Sequence, residues 1–593
     1  MKEHLILDIE SYPNYFLIAI KHLEINQIRT IELKTADARL IDFDDSTFLK
    51  NVLELNISIG FNIHNYDFIM IYHCVKLGYT AKQLNELSNR IILNNERFNL
   101  NLAHWESIDL INLPLGMHSL KLYAARLNTK SIQSLPYEPN TILTNEQMED
   151  VKQYCINDLQ LTQELYQELK LQIDLRAKMS ETYGEDLRSK SDAQIAEFII
   201  RTKLGYGKYD KKEIKPKESF KYIAPKHIKF KSAELNNLLK IVQELEFTYT
   251  DKLNVPEMFN HLSYTSPSGL TFQLGIGGLH STESEVNYKS VANEFAIIDC
   301  DVASFYPSII INNNYYPEHL GNAFMPTYKG IVEERLKAKA SGDKVTADTL
   351  KIVINSSFGK FGNQYSVLFS NELMIQITIT GQLYLLMLIE KLEANGIKVI
   401  SANTDGIISF IADSKINTYK SICTNWEKHL NLTLEFTVYK AIYSRDVNNY
   451  IALGLEKVKL KGVFTHEGLN KNPQHSVCYK AVISHLVYET VIENYIESCH
   501  KIDEFVLVRT VKGGASFNGV NVGKVVRYYW STNGSKITYT SNGNTVANSS
   551  GSNLLQTIPE DFYTITDIDY KRYIATAYEI LESVGIKENK GLF

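Results

Sequence analysis

Cysteine is scarce and scattered: six residues, at positions 74, 155, 300, 423, 478 and 499, with no CxxC pair. That pattern argues against a zinc knuckle or a disulfide framework and fits a reducing, cytoplasmic setting. Long apolar runs are missing too. No 18 consecutive residues are apolar and mean hydropathy is −0.19, so no membrane-spanning helix and no membrane association are expected. The start, MKEHLILDIE, places acids inside its first apolar run and has no small-residue cleavage site, so no secretory signal is expected. Internal repeats are absent. Positive charge is also short: 62 Lys and Arg against 68 Asp and Glu leave −6. Taken alone, that balance counts against a nucleic-acid partner, whose usual footprint is a basic surface.

What is present is length and uneven charge. At roughly 100–200 residues per domain, 593 residues suggest about three to five domains. Hydrophobic content of 44% and charged content of 22% are ordinary for a globular chain. Residues 1–170 hold 15 basic and 22 acidic groups, a net −7, so the other residues sum to +1. Within them, residues 201–231 carry 11 basic groups against 3 acids. Residues 436–463 carry five against two, and 501–541 six against two. A single charge run is usually a solvated face. Three of them beside an acidic N-terminal unit suit a protein that grips a polyanion.

Periodicity supplies a coarse map. LILDIE and NYFLIAI read as strands opening an α/β unit. Helical patterns follow at 144–172 and 190–204, and a lysine-rich connector at 208–231. Residues 295–301 read as a buried strand ending in acids, 327–341 and 346–360 as a helical hairpin, 371–394 as a helix, and 397–412 as a strand pair. A helix is expected at 476–499. Three Asn-Gly dipeptides, at 518–519, 533–534 and 542–543, predict antiparallel hairpins across 505–546. The Ser/Asn/Gly-rich stretch 541–553 reads as a mobile loop.

The first chemical constellation is acidic. Asp8 and Glu10 lie two apart in an apolar strand, so both side chains leave one face. Carboxylates pointing together repel each other and favour a divalent cation between them. GFNIHNYDFIM supplies Asn62, Tyr66 and Asp67, and QYCINDLQ places Tyr154 and Asp158 at i, i+4 on one helical face. Two-metal phosphodiester hydrolysis needs such an inventory: carboxylates holding ions about 3.5–4 Å apart, with a polar group to orient the water. In order and spacing these segments resemble the three motifs of the proofreading 3′–5′ exonuclease, whose fold is RNase H-like. The resemblance covers about residues 1–175. It implies metal ligation by Asp8, Glu10, Asp67 and Asp158, water orientation by Tyr154, and a single-stranded 3′ end held by Asn62 and Tyr66. Lys121, in SLKLY, stands where such nucleases place a lysine near the scissile phosphate.

The second constellation extends the resemblance. IIDCDVASFYPSII (297–310), KIVINSSFGKFG (351–362) and SANTDGIIS (401–409) resemble motifs A, B and C of family B DNA polymerases, in the right order. KVKLKG (457–462) resembles the basic strand that follows and grips the primer. The resemblance is to the compact, bacteriophage-encoded type. It implies a right-hand α+β and α/β multidomain architecture: exonuclease 1–175, basic helical connector 176–265, palm 266–326 and 363–465, two-helix fingers 327–362, and thumb 466–593, helical with a small sheet. Asp301 and Asp405 are the implied ligands of two Mg2+ or Mn2+ ions, as are the four acids of the exonuclease centre. Arg335, Lys339, Lys351, Asn355 and Ser304 are implied around the incoming dNTP, and Tyr306 packs under the sugar and excludes a 2′-hydroxyl. The implied partners are primer–template DNA and, for a monomeric enzyme, a helicase, primase or processivity factor. A nucleic-acid-binding replication factor with a degraded polymerase site is the alternative.

The chain departs from the pattern in three places. Motif C reads Asn403-Thr404-Asp405, lacking its first carboxylate. Asp299, two residues before Asp301, either replaces that carboxylate or pairs with a lysine at the sheet edge. The usual YxGG reads Gly275-Ile276-Gly277-Gly278; Gly277 and Gly278 still allow backbone amides to approach a phosphate. K-x-Y reads Asn448-Asn449-Tyr450, keeping the tyrosine and leaving phosphate contact to Lys459 and Lys461. Only 50 residues separate Asp301 from Lys351 and 44 separate Gly359 from Asn403, too few for the two insertions of protein-primed polymerases. Priming from a nucleic-acid 3′ end and weak strand displacement are therefore expected.

Overall fold

In a computed structural model, every residue is described except 1, 41–42, 101, 103, 115, 207–213, 466–467 and 588–593. The first lysines of the connector, at 208, 211 and 212, and the last six residues thus lie outside the described residues. The fold is mixed α/β and multidomain. The chain divides into two compact units: Met1–Ser191 with Glu467–Ala481 and Val491–Ala575, and Asp192–His466 with Val482–Thr490 and Thr576–Phe593. The segment expected as a separate thumb is therefore shared, most of it packing with the N-terminal residues.

The first unit is built on a five-stranded sheet in the order Ile28–Leu33, Tyr15–His22, His4–Tyr12, Ile57–Gly60, Ser107–Asp109. The first three strands pair antiparallel and the last two join in parallel. Apolar side chains alternate to both faces of His4–Tyr12, so each face carries its own core. Leu5, Leu7 and Ile9 lie in one, and Ile6 in the other, where Val151, Cys155 and Leu159 of the helix Asn145–Glu168 cover it. That helix starts at a capping box: Thr144 accepts from the Gln147 amide, and Gln147 accepts from the Thr144 amide.

Residues 505–555 of this unit form a four-stranded antiparallel sheet. Two of the Asn-Gly dipeptides behave as turns, between Leu507–Phe517 and Val520–Ser535 and after Ile537–Tyr539. Asn533-Gly534 does not; it lies inside the long strand Val520–Ser535. A Cβ at Gly534 would fall 2.4 Å from the Gly551 carbonyl carbon, so this glycine serves close backbone approach rather than a bend. Nor is 541–553 a loose loop. Ser549 and Ser552 are fully buried, and the Ser549 hydroxyl donates to the Ile537 carbonyl. The expected helix at 476–499 is broken into Ser476–Tyr488 and Ile492–Glu497.

Arg527 joins this sheet to the N-terminal residues. It is fully buried, and its guanidinium donates to the carbonyls of Thr129 (2.8 Å), Leu555 (2.7 Å), Gln556 (3.0 Å) and Lys130 (3.4 Å). Burial lowers its pKa to about 10. Reciprocal amide bonds, Ile132 to Gln556 and Ile558 to Lys130, run alongside.

The second unit carries a ten-stranded sheet. At its centre Phe295–Val302 runs antiparallel between Gly406–Ala412 and Leu434–Asp446. The connector region contributes a three-stranded sheet and the helix Ala233–Glu244. The helix Asn371–Ala394 is long and apolar enough to cross a bilayer by composition, despite the interrupted apolar runs of the sequence. Within the protein, 83% of its apolar window is buried. Two of its polar residues are spent on backbone: Glu390 accepts from the amides of Lys231 and Ser232, and Gln382 exchanges two 2.9 Å bonds with Gly275. The last pair anchors the Gly275–Gly278 loop to the helix.

Arg527→Met would leave the carbonyls of Thr129 and Leu555 without this donor, at about 1–3 kcal/mol each before relaxation, while those of Gln556 and Lys130 keep their amide partners. We expect a loss of about 2–5 kcal/mol in the first unit, read as a lower melting temperature and faster amide exchange in 505–535. An unchanged melt would contradict the role given to this side chain.

Candidate functional site

Two acidic centres emerge, one in each unit. In the first, Asp8 and Glu10 share a face of His4–Tyr12, as the strand's period requires. Asp67 opens the helix Asp67–Leu77 and is 4% exposed; Tyr154 and Asp158 project from Asn145–Glu168 and are buried. These acids share one electrostatic environment. Burial first, and Asp158 next, push Asp8 up to about 7. Burial, then Asp8 and Asp158, hold Glu10 well above the carboxylate range. Asp67 is raised by burial and Asp8, and Asp158 by burial against the pull of Lys121. Lys121 is ion-paired with Asp158, and its ammonium lies 4.2 Å from the centre of the Tyr154 ring. The expected phosphate lysine is thus brought to the acids. Like charges forced together in a buried site fit a divalent cation. Donor atoms of Asp8, Glu10 and Cys155 all lie within 4.8 Å of one another.

Asp109 and Cys155 escaped the motif reading. The buried Asp109 carboxylate accepts from the amides of Asn62 (2.8 Å) and His64 (3.3 Å). It pins the turn in which Asn62 adopts φ 64°. Asn62 Oδ1 accepts from Asn65, and the Tyr66 hydroxyl shares a 2.7 Å bond with Ser88. Two of the polar atoms expected to hold a 3′ end, Asn62 Oδ1 and the Tyr66 hydroxyl, are therefore partnered within the protein.

In the second centre, Asp301 ends the central strand and faces the two-residue turn Thr404-Asp405. Its partner in register is Gly406, where a Cβ would lie 2.1 Å from Asp301 Oδ1. Only glycine leaves room for this carboxylate beside Asp405. Thr404 is left-handed (φ 54°), with its amide on the Leu279 carbonyl. Gly278 passes so close that a Cβ would fall 3.0 Å from Thr404 Oγ1. Burial and Asp299 raise Asp301, while Asp405 is raised by burial against Lys461.

The departures acquire physical reasons here. Asn403 donates to the Val447 carbonyl (3.1 Å) and to Asn448 Oδ1 (3.1 Å). A carboxylate, which only accepts, could make neither bond. Asp299 is 3% exposed and takes Tyr439 Oη at 2.6 Å and Lys459 Nζ at 2.9 Å. This is the lysine-paired alternative, in the central strand rather than at a sheet edge. Lys459 Nζ stands 3.6 Å from Asp301, so this ammonium is placed on the acids. Tyr450 is 6% exposed in the apolar cluster of Ile297, Ile408 and Tyr439, so it is a core residue here rather than a surface for a primer. Lys461 remains exposed.

Above the acids, the Tyr306 ring stacks on Phe358 with centres 4.3 Å apart, and its hydroxyl donates to the Gly277 carbonyl at 3.0 Å. Phe358 comes from Lys344–Lys360, which with Phe324–Ser341 forms the expected helical hairpin. Arg335 reaches Ser304 Oγ at 3.4 Å, while Lys339, Lys351 and Asn355 are exposed.

Comparison with known proteins adds to this geometry. The chain is 28% identical over 185 residues to DNA polymerase 1 of Pyrococcus abyssi, covering 25% of this chain and 24% of that protein. It is 29% identical over 170 residues to a DNA polymerase of Thermococcus sp. (strain 9oN-7), covering 23% and 22%. With DNA polymerase 1 of Aeropyrum pernix it shares 27% over 208 residues, covering 28% and 21%. The similarity thus spans about a quarter of the length of these relatives. No family model matches. Among solved structures, the family B DNA polymerase of Pyrobaculum calidifontis aligns with 99% of this chain and 79% of its own, at 13% identity and a TM-score of 0.43. The sequence matches show a relationship to DNA polymerases over about a quarter of this chain.

Without divalent ions, Asp8 keeps its proton to about pH 7 instead of releasing it near its ordinary 3.8. The folded state therefore binds more protons than the unfolded chain, and stability falls as pH rises through that window. Asp8→Asn should raise the stability of the chelated protein at pH 8 by about 1–2 kcal/mol, discounted for solvent access, and leave it unchanged near pH 3. A parent melt insensitive to pH between 4 and 7 would contradict this. At the second centre, Asp299→Asn should let Lys459 settle on Asp301 and weaken Mn2+ binding about 3–10-fold. The measurement is an Mn2+ titration of a chain also carrying Asp8→Ala and Glu10→Ala; equal affinities would contradict it.

Proposed function

We propose that this chain is a template-directed DNA polymerase of family B that extends a primer 3′ end with dNTPs, and that its N-terminal residues form an RNase H-like 3′–5′ proofreading exonuclease. The observation that carries this reading is the register that sets Asp301 opposite Gly406, the neighbour of Asp405, so that the Asp405 charge acts on both Asp301 and Tyr306 of the Tyr306–Phe358 stack. Divalent ions, when bound, would activate the primer hydroxyl and neutralise the triphosphate. Asp301 and Asp405 would hold them. Tyr306, fixed by Phe358 and the Gly277 carbonyl, presents a rigid ring edge under the sugar and excludes a 2′-hydroxyl by contact. Arg335, Lys339 and Lys351 stand on the helical hairpin where cations would meet phosphate charge developing in the transition state. At the N-terminal centre, Asp8, Glu10, Asp67 and Asp158 would hold the ions, Tyr154 would orient water, and Lys121 would meet the scissile phosphate.

The compact spacing supports priming from a nucleic-acid 3′ end with helicase or other replication proteins as partners, and the resemblance to compact phage-encoded polymerases supports a role in phage DNA replication in the host cytoplasm. Asn403 is the one feature favouring a degraded polymerase site. Its bonds to Val447 and Asn448 give it a structural task instead.

Primer extension with Mg2+ and dNTPs tests this reading directly. Asp8→Ala with Glu10→Ala should lower 3′ degradation by about 10³-fold or more and spare extension; Asp405→Asn should do the reverse, on the scale that loss of metal-borne charge stabilisation implies. Equal damage to both activities by both changes would sink the two-centre division.

A further inference from the structure

The donor set of the N-terminal centre contains a sulfur. Cys155 follows Tyr154 on the helix Asn145–Glu168, is fully buried, and aims Sγ at Asp8 Oδ2, 3.6 Å away. Glu10 supplies the third donor within 4.8 Å. A tetrahedral zinc ion with one thiolate arm of about 2.3 Å and one carboxylate arm of about 2.1 Å holds its sulfur and oxygen about 3.6 Å apart. The thiol donates a hydrogen bond to Asp8 here, and its 3.6 Å length matches the separation two tetrahedral ligands would need once that proton is gone. Mg2+, by contrast, demands oxygen donors in octahedral array and has no use for sulfur. The second centre offers no such option. Cys300 alternates to the opposite face of its strand from Asp299 and Asp301, where it lies with Cys423 and Tyr419.

We propose that Asp8, Glu10 and Cys155 form a site for a thiophilic divalent cation of the zinc class, and that its occupation halts Mg2+-supported 3′ degradation while leaving extension untouched. The thiol proton leaves to solvent as the sulfur–metal bond forms. A tetrahedral ion held by all three donors draws Asp8 and Glu10 onto one centre. They then cannot frame a pair of ions about 3.5–4 Å apart, which the two-metal reaction requires. The regulatory half of this inference rests on the exonuclease reading above; the metal site itself does not.

Cobalt(II) titrated into the full chain is the direct probe, because a thiolate ligand gives a sulfur-to-metal charge-transfer band that oxygen donors do not. The band is expected in the parent and in Cys423→Ser, and lost in Cys155→Ser, with folding checked by melting. Loss of one ligand should also raise the Zn2+ concentration that half-inhibits degradation by at least about 10-fold, each protein being referred to its own Mg2+ rate. No band in the parent, or one that survives Cys155→Ser, overturns the site. A Cys155-dependent band in a chain without 3′ degradation upholds the site and sinks the exonuclease reading. Degradation equally sensitive to Zn2+ in parent and Cys155→Ser, with the band present, overturns the regulatory role.

Discussion

Carboxylates two residues apart on a strand must share a face, and that constraint shapes both centres. Asp8 and Glu10 obey it in one sheet, and Asp299 and Asp301 in another. Packing such pairs against apolar layers makes their mutual repulsion costly, so the chain brings cations to them. Lys121 settles on Asp158 in one unit, and Lys459 lies between Asp299 and Asp301 in the other. The two lysines come from different kinds of element, a helix start and a strand, yet balance charge in the same way.

This also reframes the acidic excess of the first 170 residues. Part of it is concentrated in a buried centre, where burial and mutual repulsion raise Asp8, Glu10 and Asp67 above the carboxylate range and disfavour their charged forms. Formal charge counted from sequence overstates what a polyanion would meet there. In the second unit Lys461, Lys339 and Lys351 stay exposed, so its near-neutral sum hides accessible positive groups.

Legibility from sequence followed the range of the interactions involved. Strand alternation placed Asp8 with Glu10, and helical spacing placed Tyr154 with Asp158, because both depend on neighbours a few residues apart. The resemblance to polymerase motifs grouped Asp301 with Asp405, and the strand register sets Asp301 opposite Gly406, next to Asp405. Long-range partners were not legible. Asp109 holds the Asn62 turn from 47 residues away, and Tyr439 and Lys459 reach Asp299 from two different strands. Tyr450 carries a motif position, yet its ring sits in the core because Ile297 and Ile408 pack around it. Composition misled at 541–553, where small polar residues serve close packing rather than freedom. Asn403 was read as a missing charge; its value lies in donor hydrogens that a carboxylate lacks.

The guanidinium of Arg527 has a consequence for how this protein divides. A boundary drawn along the chain near residue 190 isolates the N-terminal acidic centre on paper. In space, the carbonyls of Thr129 and Lys130 find their donor nearly 400 residues later. A fragment ending at that boundary would lose its seam and face water with an unfinished edge. During synthesis, these two carbonyls must wait for most of the chain before Arg527 can reach them, so the earliest residues to be made are among the last to gain all their partners.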